Sequence, residues 1–592
     1  MEKEKYEGEM KMYVNERDQM NFHGFLKSAR EWLGASQAEV ATGVYTSTSL
    51  HRAETGTRIP EKMMRDRLLS RMGFHGERHV EYLCLTELQQ FQIRQEVLQA
   101  ISRKDADAAE EKLKELEKFD EEENVVQKQF VKTMEFMILQ LRGASREELC
   151  SCIKEAIDYT VPNIDKALIG RHMLAEQELN LIAEYIRVQT LLDKKSNENT
   201  WRVLEYQKLI FYVHHSHMEN LVKVKIYPKI ICYMCEALLK ESVPLNKLRE
   251  SLKLCDKALE LLLDTHRLYY FYELLEYRRE ILFRMLENPL AFLEKKEVET
   301  RLEENSRLEM LWKAQYEAYG VPPYMNDFCY LYWETECHSA VEIIETRRKM
   351  LRIPRKVLRE GICTERSLIR IERTNYNPSM YVLTNLFERM GLCGEYRRGQ
   401  LVTTDIHLLN VYKRLVDGIN NYNNEESALC LEELQSDLSM LISHNRQEIN
   451  RILNIYENRI GKLTPQQYYQ QAVDALECTI PIWALYPSEE STKMYFYRSE
   501  LCCICDIAFE TSGKDSQHCV DVLEEICKKV LEEGILPTQL GVMEFVINAL
   551  CRYYQKNERE AEEKKDKYAN YINDALTYMV KRPEAATEKL SM

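Results

Sequence analysis

Residues 28–73 read SAREWLGASQAEVATGVYTSTSLHRAETGTRIPEKMMRDRLLSRMG, and residues 346–391 read TRRKMLRIPRKVLREGICTERSLIRIERTNYNPSMYVLTNLFERMG. The two stretches align without a gap at a constant offset of 318 positions, with 13 of 46 residues identical. The identities include Arg30/Arg348, Leu33/Leu351, Gly43/Gly361, Ser49-Leu50/Ser367-Leu368, Arg52/Arg370, Glu54/Glu372, Pro60/Pro378 and Arg71-Met72-Gly73/Arg389-Met390-Gly391. A period this long exceeds any single solenoid repeat, which runs about 20–50 residues. It reads as two modules in tandem, each opening with a compact helical domain and continuing into a longer helical array.

In the first copy, Phe22, Phe25, Leu26, Ala29 and Leu33 make one apolar face, and Gly34 ends the helix that carries them. Ser36 and Glu39 have the spacing of a capping box for a short second helix, Gln37 to about Thr42. Gly43 permits a tight turn and Val44 supplies an apolar plug. A third helix runs from about Ser47 to Glu54 with Leu50 and Ala53 inward, and Gly56 breaks it. Pro60 starts a fourth helix, whose Met63, Met64, Leu68 and Met72 close the core. This is the layout of a helix-turn-helix, in which the second helix of the pair enters the major groove of DNA. The polar face of that helix carries Ser47, Thr48, His51 and Arg52, with Gln37 opening the helix before it. In the second copy the matching positions are Glu365, Arg366, Ile369 and Arg370, with Arg355 in place of Gln37. Gln suits adenine or phosphate, and Arg suits guanine or phosphate. The two faces differ so much that they should not read the same sequence.

GASQAEVATGVYTSTSLHRAETG resembles the Cro/phage-repressor type of helix-turn-helix. The short spacing from Gln37 to Gly56 is similar to that of the peptide-pheromone-responsive regulators of Gram-positive bacteria. REGICTERSLIRIERTNYNPSMYVLTNLFERMGLCGEY and the lead-in FCYLYWETECHSAVEIIETRRKM resemble the same group, here in tandemly duplicated form. The second copy departs from the pattern with Arg355 and Thr374 where Gln and Gly are usual. The resemblance implies tetratricopeptide-like repeats behind each DNA-binding domain, and a short signalling peptide of the quorum-sensing kind as effector.

The duplication runs on into the arrays. Residues 85–116 match 402–434 through Thr86/Thr404, Ile101/Ile419, Leu113/Leu431 and Leu116/Leu434, and AIDYTVP (156–162) matches ALECTIP (475–481). Both arrays read as helices of about 12–20 residues with short polar breaks, the pattern that stacks into a superhelix. The Tyr/Asn-rich stretch at 420–424 and YVHHSHMEN (212–220) offer amide and aromatic groups either to an extended peptide or to an ordinary scaffold surface. The expected fold is all-α: an N-terminal extension (1–21), a helix-turn-helix domain (22–76), an array (77–335), a divergent helix-turn-helix domain (336–394) and a second array (395–592).

The chain of 592 residues carries a net charge of −15, but the short domains reverse that sign. Residues 22–73 hold eight Lys/Arg against five Asp/Glu, and residues 340–391 hold eleven against six. A DNA footprint depends on such a local field and not on the whole-chain sum. No 18-residue uncharged run or signal peptide is read, so a cytoplasmic protein without membrane association is expected, its 18 Cys reduced. The sequence has no GxxxxGK[ST], HExxH or nucleophile-elbow motif, and no cofactor is expected. His75/His79, the His214/His215/His217 group, Cys232-x-x-Cys235 and Cys502/Cys503/Cys505 read as packing or surface residues before metal ligands. The expectation is a non-enzymatic regulator of double-stranded DNA, a pseudo-dimer within one chain that acts singly or as a homodimer. The alternative is a helical-repeat interaction scaffold that no longer binds DNA.

Overall fold

The computed structural model describes residues 21–554, apart from 75–80, 84, 120–123, 170–171, 190–196, 266, 319, 321, 334–336, 374–377, 394–399, 487–493, 511–512, 534–545 and 548. The N-terminal extension up to residue 20, the pair His75/His79 and Thr374 lie outside the described residues. What is described is almost entirely helical.

The first short unit holds α1 (Phe22–Trp32), α2 (Gln37–Ala41), α3 (Ser47–Glu54) and α4 (Lys62–Arg71). Each boundary has a local cause. Asn21 caps α1 by accepting from the Gly24 amide at 3.0 Å, and Gly34 leaves the helix at φ 63°. Ser36 and Glu39 form the expected capping box at 3.2 and 2.7 Å. Gly43 turns the chain at φ 79°, and Thr46 caps α3 through the Ser49 amide at 3.0 Å. Phe25, Leu26, Val40, Leu50 and Leu68 are fully buried at its centre. The start of α4 differs from expectation. Glu61 is its N-cap, and Pro60 sits just ahead of the helix, where its carbonyl accepts from Arg65 Nη1 at 2.7 Å. Met63 faces the following array as well as the unit's own core, which Met64, Leu68 and Met72 close.

The second unit repeats the plan in α16 (Ala340–Met350), α17 (Arg355–Arg359), α18 (Glu365–Arg373) and α19 (Met380–Arg389). Thr364 caps α18 through the Ser367 amide at 3.1 Å, and Gly361 turns the chain at φ 69°.

Each unit leads into helices packed in consecutive pairs. The first array contains α5 (Leu85–Ser102) with α6 (Ala106–Glu117), α7 (Val125–Leu141) with α8 (Arg146–Asp158), and, after the short α9 (Ile164–Ile169), α10 (Glu176–Val188) with α11 (Glu198–His215). It continues with α12 (Asn220–Leu238) and α13 (Leu245–Thr265), then α14 (Phe271–Glu287) and α15 (Lys295–Ala318). The second array contains α20 (Ile406–Asn420) with α21 (Asn424–Asp437), α22 (Ser443–Arg459) with α23 (Pro465–Leu476), and α24 (Arg498–Phe509) with α25 (Ser516–Glu533). The first helices of successive pairs also pack on one another, as α10, α12 and α14 do, so each array has a first-helix face. The duplication reaches buried hydrogen bonds: Gln129 Nε2 donates to Thr160 Oγ1 at 2.6 Å, and Gln447 Nε2 to Thr479 Oγ1 at 2.7 Å.

One feature lies outside the all-helical expectation. A strand β1 (Glu81–Leu83) pairs in parallel with β2 (Cys337–Ser339), in the register Glu81↔Cys337, Tyr82↔His338, Leu83↔Ser339. The strand that follows the first unit is thereby joined to the one that precedes the second.

The units dock on their own arrays in different ways. In the first, Arg67 and Arg71 of α4 reach Glu178 of α10 at 3.0 and 2.6 Å, and all three side chains are buried. A Cβ added at Gly43 would stand 2.0 Å from the Thr160 carbonyl oxygen, and one at Gly73 would stand 2.7 Å from that of His217. In the second, the partner of Glu500 is Arg347 of α16, at 2.5 and 2.8 Å, and Gly391 is the glycine that meets the Thr479 carbonyl. Glu178 and Glu500 are both third residues of their helices within capping boxes, so the same array position receives a different arginine from each unit.

Candidate functional site

The third helix of each short unit packs on the first two helices of that unit, which leaves its opposite face outward. In the first unit Ser47, Thr48, His51 and Arg52 are all exposed on it. In the second, Arg366 and Arg370 are exposed, Glu365 stands beside them, and Ile369 is half-buried. The two helices therefore bring four and two of the expected contact residues, respectively, onto one outward surface.

Gln37 and Arg355 behave differently from those residues. Arg30 Nη2 donates to Glu54 Oε2 at 3.0 Å, and Gln37 Nε2 donates to the same oxygen at 2.7 Å. In the second unit Arg348 Nε donates to Glu372 Oε1 at 2.6 Å, and Arg355 Nε to Glu372 Oε2 at 2.6 Å. Both glutamates are buried, and both Gln37 and Arg355 are half-buried. The first arginine also ties the turn into α2 or α17, donating to the carbonyl of Ala35 or Ile353, five residues on. One carboxylate on the third helix is thus held by the first helix through Arg30 or Arg348 and by the second through Gln37 or Arg355. In the sequence Arg30/Arg348 and Glu54/Glu372 stand out only as identities, and their retention 24 positions apart in both copies is the one sign there of a pair.

Electrostatics concentrate where the units dock. Burial alone pushes the Glu178 carboxyl up, but Arg71 and Arg67 outweigh it and hold it down at about 2. A second polar grouping lies on the first-helix face of the second array. Tyr412 donates to Glu448 at 2.6 Å, and Arg451 bridges Glu448 at 3.1 Å and Asp506 at 3.4 Å. Burial lifts the Asp506 carboxyl to about 6 despite Arg451. Asn454, on the same helix as Glu448 and almost fully buried, keeps its Oδ1 without a hydrogen-bond partner among the described residues.

The stretch YVHHSHMEN serves docking: the Glu219 amide donates to the Gly73 carbonyl at 3.0 Å, and His217 and Met218 lie against Gly73. His214 is held by Lys257 at 2.8 Å, and His215 lies beside the Phe211 ring. In the 420–424 stretch, Tyr422 is exposed beneath the Arg459 guanidinium. Cys232, Cys235, Cys502 and Cys503 are buried, and the described cysteines are free thiols. Among the described residues no group of three or more His, Cys, Asp and Glu is placed to hold a metal ion, and no helix is long and apolar enough to cross a membrane.

No protein-family model matches the chain, and no curated protein matches it. Among solved structures, the chain has a weak likeness to PlcR of Bacillus thuringiensis, solved in complex with the peptide PapR7 and DNA. Identity is 16%, the alignment covers 50% of this chain and 98% of that one, and the TM-score is 0.28.

Proposed function

We propose that the protein is a sequence-specific DNA-binding transcriptional regulator, in which the two short units are helix-turn-helix domains and the helical arrays take an effector. One observation carries the reading. Arg52 and Arg370, repeated in both units, are exposed at the same place on the third helix. A repeated exposed guanidinium on a helix that also presents Ser47, Thr48 and His51 suits a phosphate or base edge in a major groove. The local excess of positive charge in residues 22–73 and 340–391 supports the same reading. The effector reading rests on the polar row Tyr412–Glu448–Arg451–Asp506 on the first-helix face of the second array, where Glu448 is buried and Arg451 and Asp506 keep a partly exposed edge.

The test is selection of binding sites from a random duplex pool by the full-length protein at about 150 mM salt, where specific binding still exceeds the nonspecific background. An enriched motif is expected. Arg52→Ala, with folding verified by circular dichroism, should weaken binding by about 1–3 kcal/mol if the contact is to a base edge. Equal binding by wild type and variant removes Arg52 from the interface. Absence of any motif, with and without peptide-rich culture extract, would leave the interaction-scaffold reading in its place.

A further inference from the structure

Ahead of β2, the chain leaves the surface at Phe328. Residues 324–333, YMNDFCYLYW, lie along the first-helix face of the first array, with a single 3-10 turn at Cys329–Leu331. Phe328, Cys329, Tyr330 and Leu331 are almost completely buried there. The contacts move from one first helix to the next. Tyr324 donates to Glu276 of α14 at 3.1 Å, and the Met325 amide donates to Glu273 at 2.6 Å. Phe328 lies over the ammonium of Lys229 in α12, with 4.5 Å between Nζ and the ring centre. Tyr330 donates to the Lys225 carbonyl at 2.8 Å, and Gln177 of α10 donates to the Leu331 carbonyl at 3.1 Å. Tyr332 packs edge-on against Phe130 of α7 at 5.5 Å. Backbone groups held by side chains, alternating with aromatic anchors in pockets, are the means by which a protein grips a linear peptide.

On α22 the positions matching this surface are polar. Gln129 and Gln447 fix the register of α7 against α22, and at that offset Phe130, Thr133 and Phe136 become Glu448, Arg451 and Asn454. Phe130 and Phe136 touch Tyr332 and Phe328 of the segment. The aromatic residues thus occur in the copy whose own chain supplies an aromatic strand to cover them.

We infer that the first array is a linear-peptide site, and that its occupant is the chain's own segment 324–333. A tethered ligand competes at an effective concentration on the order of millimolar, so a free peptide at micromolar concentration is shut out. The alternative is that these residues are an inseparable part of the array's core, which would collapse without them.

The experiment uses the full-length protein and a fluorescently labelled peptide of residues 324–333. Wild type is expected not to bind the peptide at micromolar concentration. Phe328→Ala/Tyr330→Ala is expected to bind it saturably, with amide exchange over 324–333 rising at least tenfold while α10 and α12 stay protected. Saturable binding to wild type overturns the inference, as does a folded double variant that ignores the peptide. Should the double variant unfold, Phe328→Leu removes the aromatic face over Lys229 with little change in volume. A selective rise of about tenfold in exchange over 324–333 then supports the inference, and exchange identical to wild type overturns it. No readout involves DNA, so failure of the proposed function and failure of this inference are separable.

Discussion

At the scale of single residues, two buried carboxylates in each half do most of the positioning. Glu54 and Glu372 each take two donors from different helices, and removing such a buried charge leaves its arginine uncompensated at a cost of about 3–5 kcal/mol. Glu54→Ala is therefore expected to lower the unfolding free energy by that order, read by thermal or denaturant unfolding. Glu178 gives the docking a pH dependence. Its carboxyl lies at about 2 in the folded chain against 4.5 for the free group, so the folded state favours the charged form. The associated stability is present above 4.5 and is lost as pH falls from there towards 2. The shift amounts to roughly 3 kcal/mol. Wild type is expected to lose protection at the contact between α4 and α10 across that window in hydrogen exchange, and Glu178→Gln to lose the pH dependence. The Ser36–Glu39 capping box, the Gly43 turn and the buried Leu50 are legible in the sequence because each is set by neighbours a few positions away. The partners of Arg67 and Arg71 are not, since they lie about a hundred residues downstream and no local pattern points to them.

At the scale of elements, the same turn has different surroundings in the two halves. Gly43 and Gly361 share a left-handed backbone, so alanine costs about 1–2 kcal/mol at either. At Gly43 the new Cβ would also collide with the Thr160 carbonyl, whereas at Gly361 the nearest atom is 3.9 Å away. Gly43→Ala is expected to loosen the first unit from its array, raising exchange at the amides around Thr160. Gly361→Ala should leave the corresponding region of the second half unchanged. The reason lies in Ala29 and Arg347, which occupy the same alignment position. Ala29 is a core residue of its unit, while Arg347 turns to Glu500 and brings another edge of the second unit against the array. Helices and their pairing were readable from periodicity. Which edge of a unit faces its array depends on one arginine and one distant glutamate, and periodicity does not carry that.

At the scale of the whole molecule, the halves interlock. Ile406 and Leu409 of α20 pack into the core of the first unit. Tyr82 of β1 packs on Phe387 of the second unit at 4.5 Å, close to Tyr495 and Tyr497. On the proposed function, two unlike third helices held in one such assembly call for an asymmetric operator with fixed spacing. Arg52→Ala and Arg370→Ala should then each weaken a different half of the selected motif, and inserting about five base pairs between the halves, half a helical turn, should abolish joint binding. Identical half-sites, or indifference to spacing, would count against two readers in one assembly. The repeat at offset 318 made the tandem organisation visible in the sequence. The β1–β2 pair was hidden, because three-residue strands have no periodicity to detect and these two lie about 250 residues apart.

Those two short strands, and the aromatic segment 324–333 that precedes the second of them, set an order of assembly. When α15 leaves the ribosome, the first array still lacks residues 324–333, and at about 5–20 residues per second its aromatic seat stays bare for about one to three seconds. β1 waits longer still, until Ser339 is made. Ser339 then has two duties: it pairs with Leu83 of the first half, and its hydroxyl caps α16 of the second through the Glu342 amide. A gene cut before this serine strips Leu83 of its pairing partner, and one cut after it strips α16 of its cap. The duplicated halves share a residue, which ties them to one reading frame.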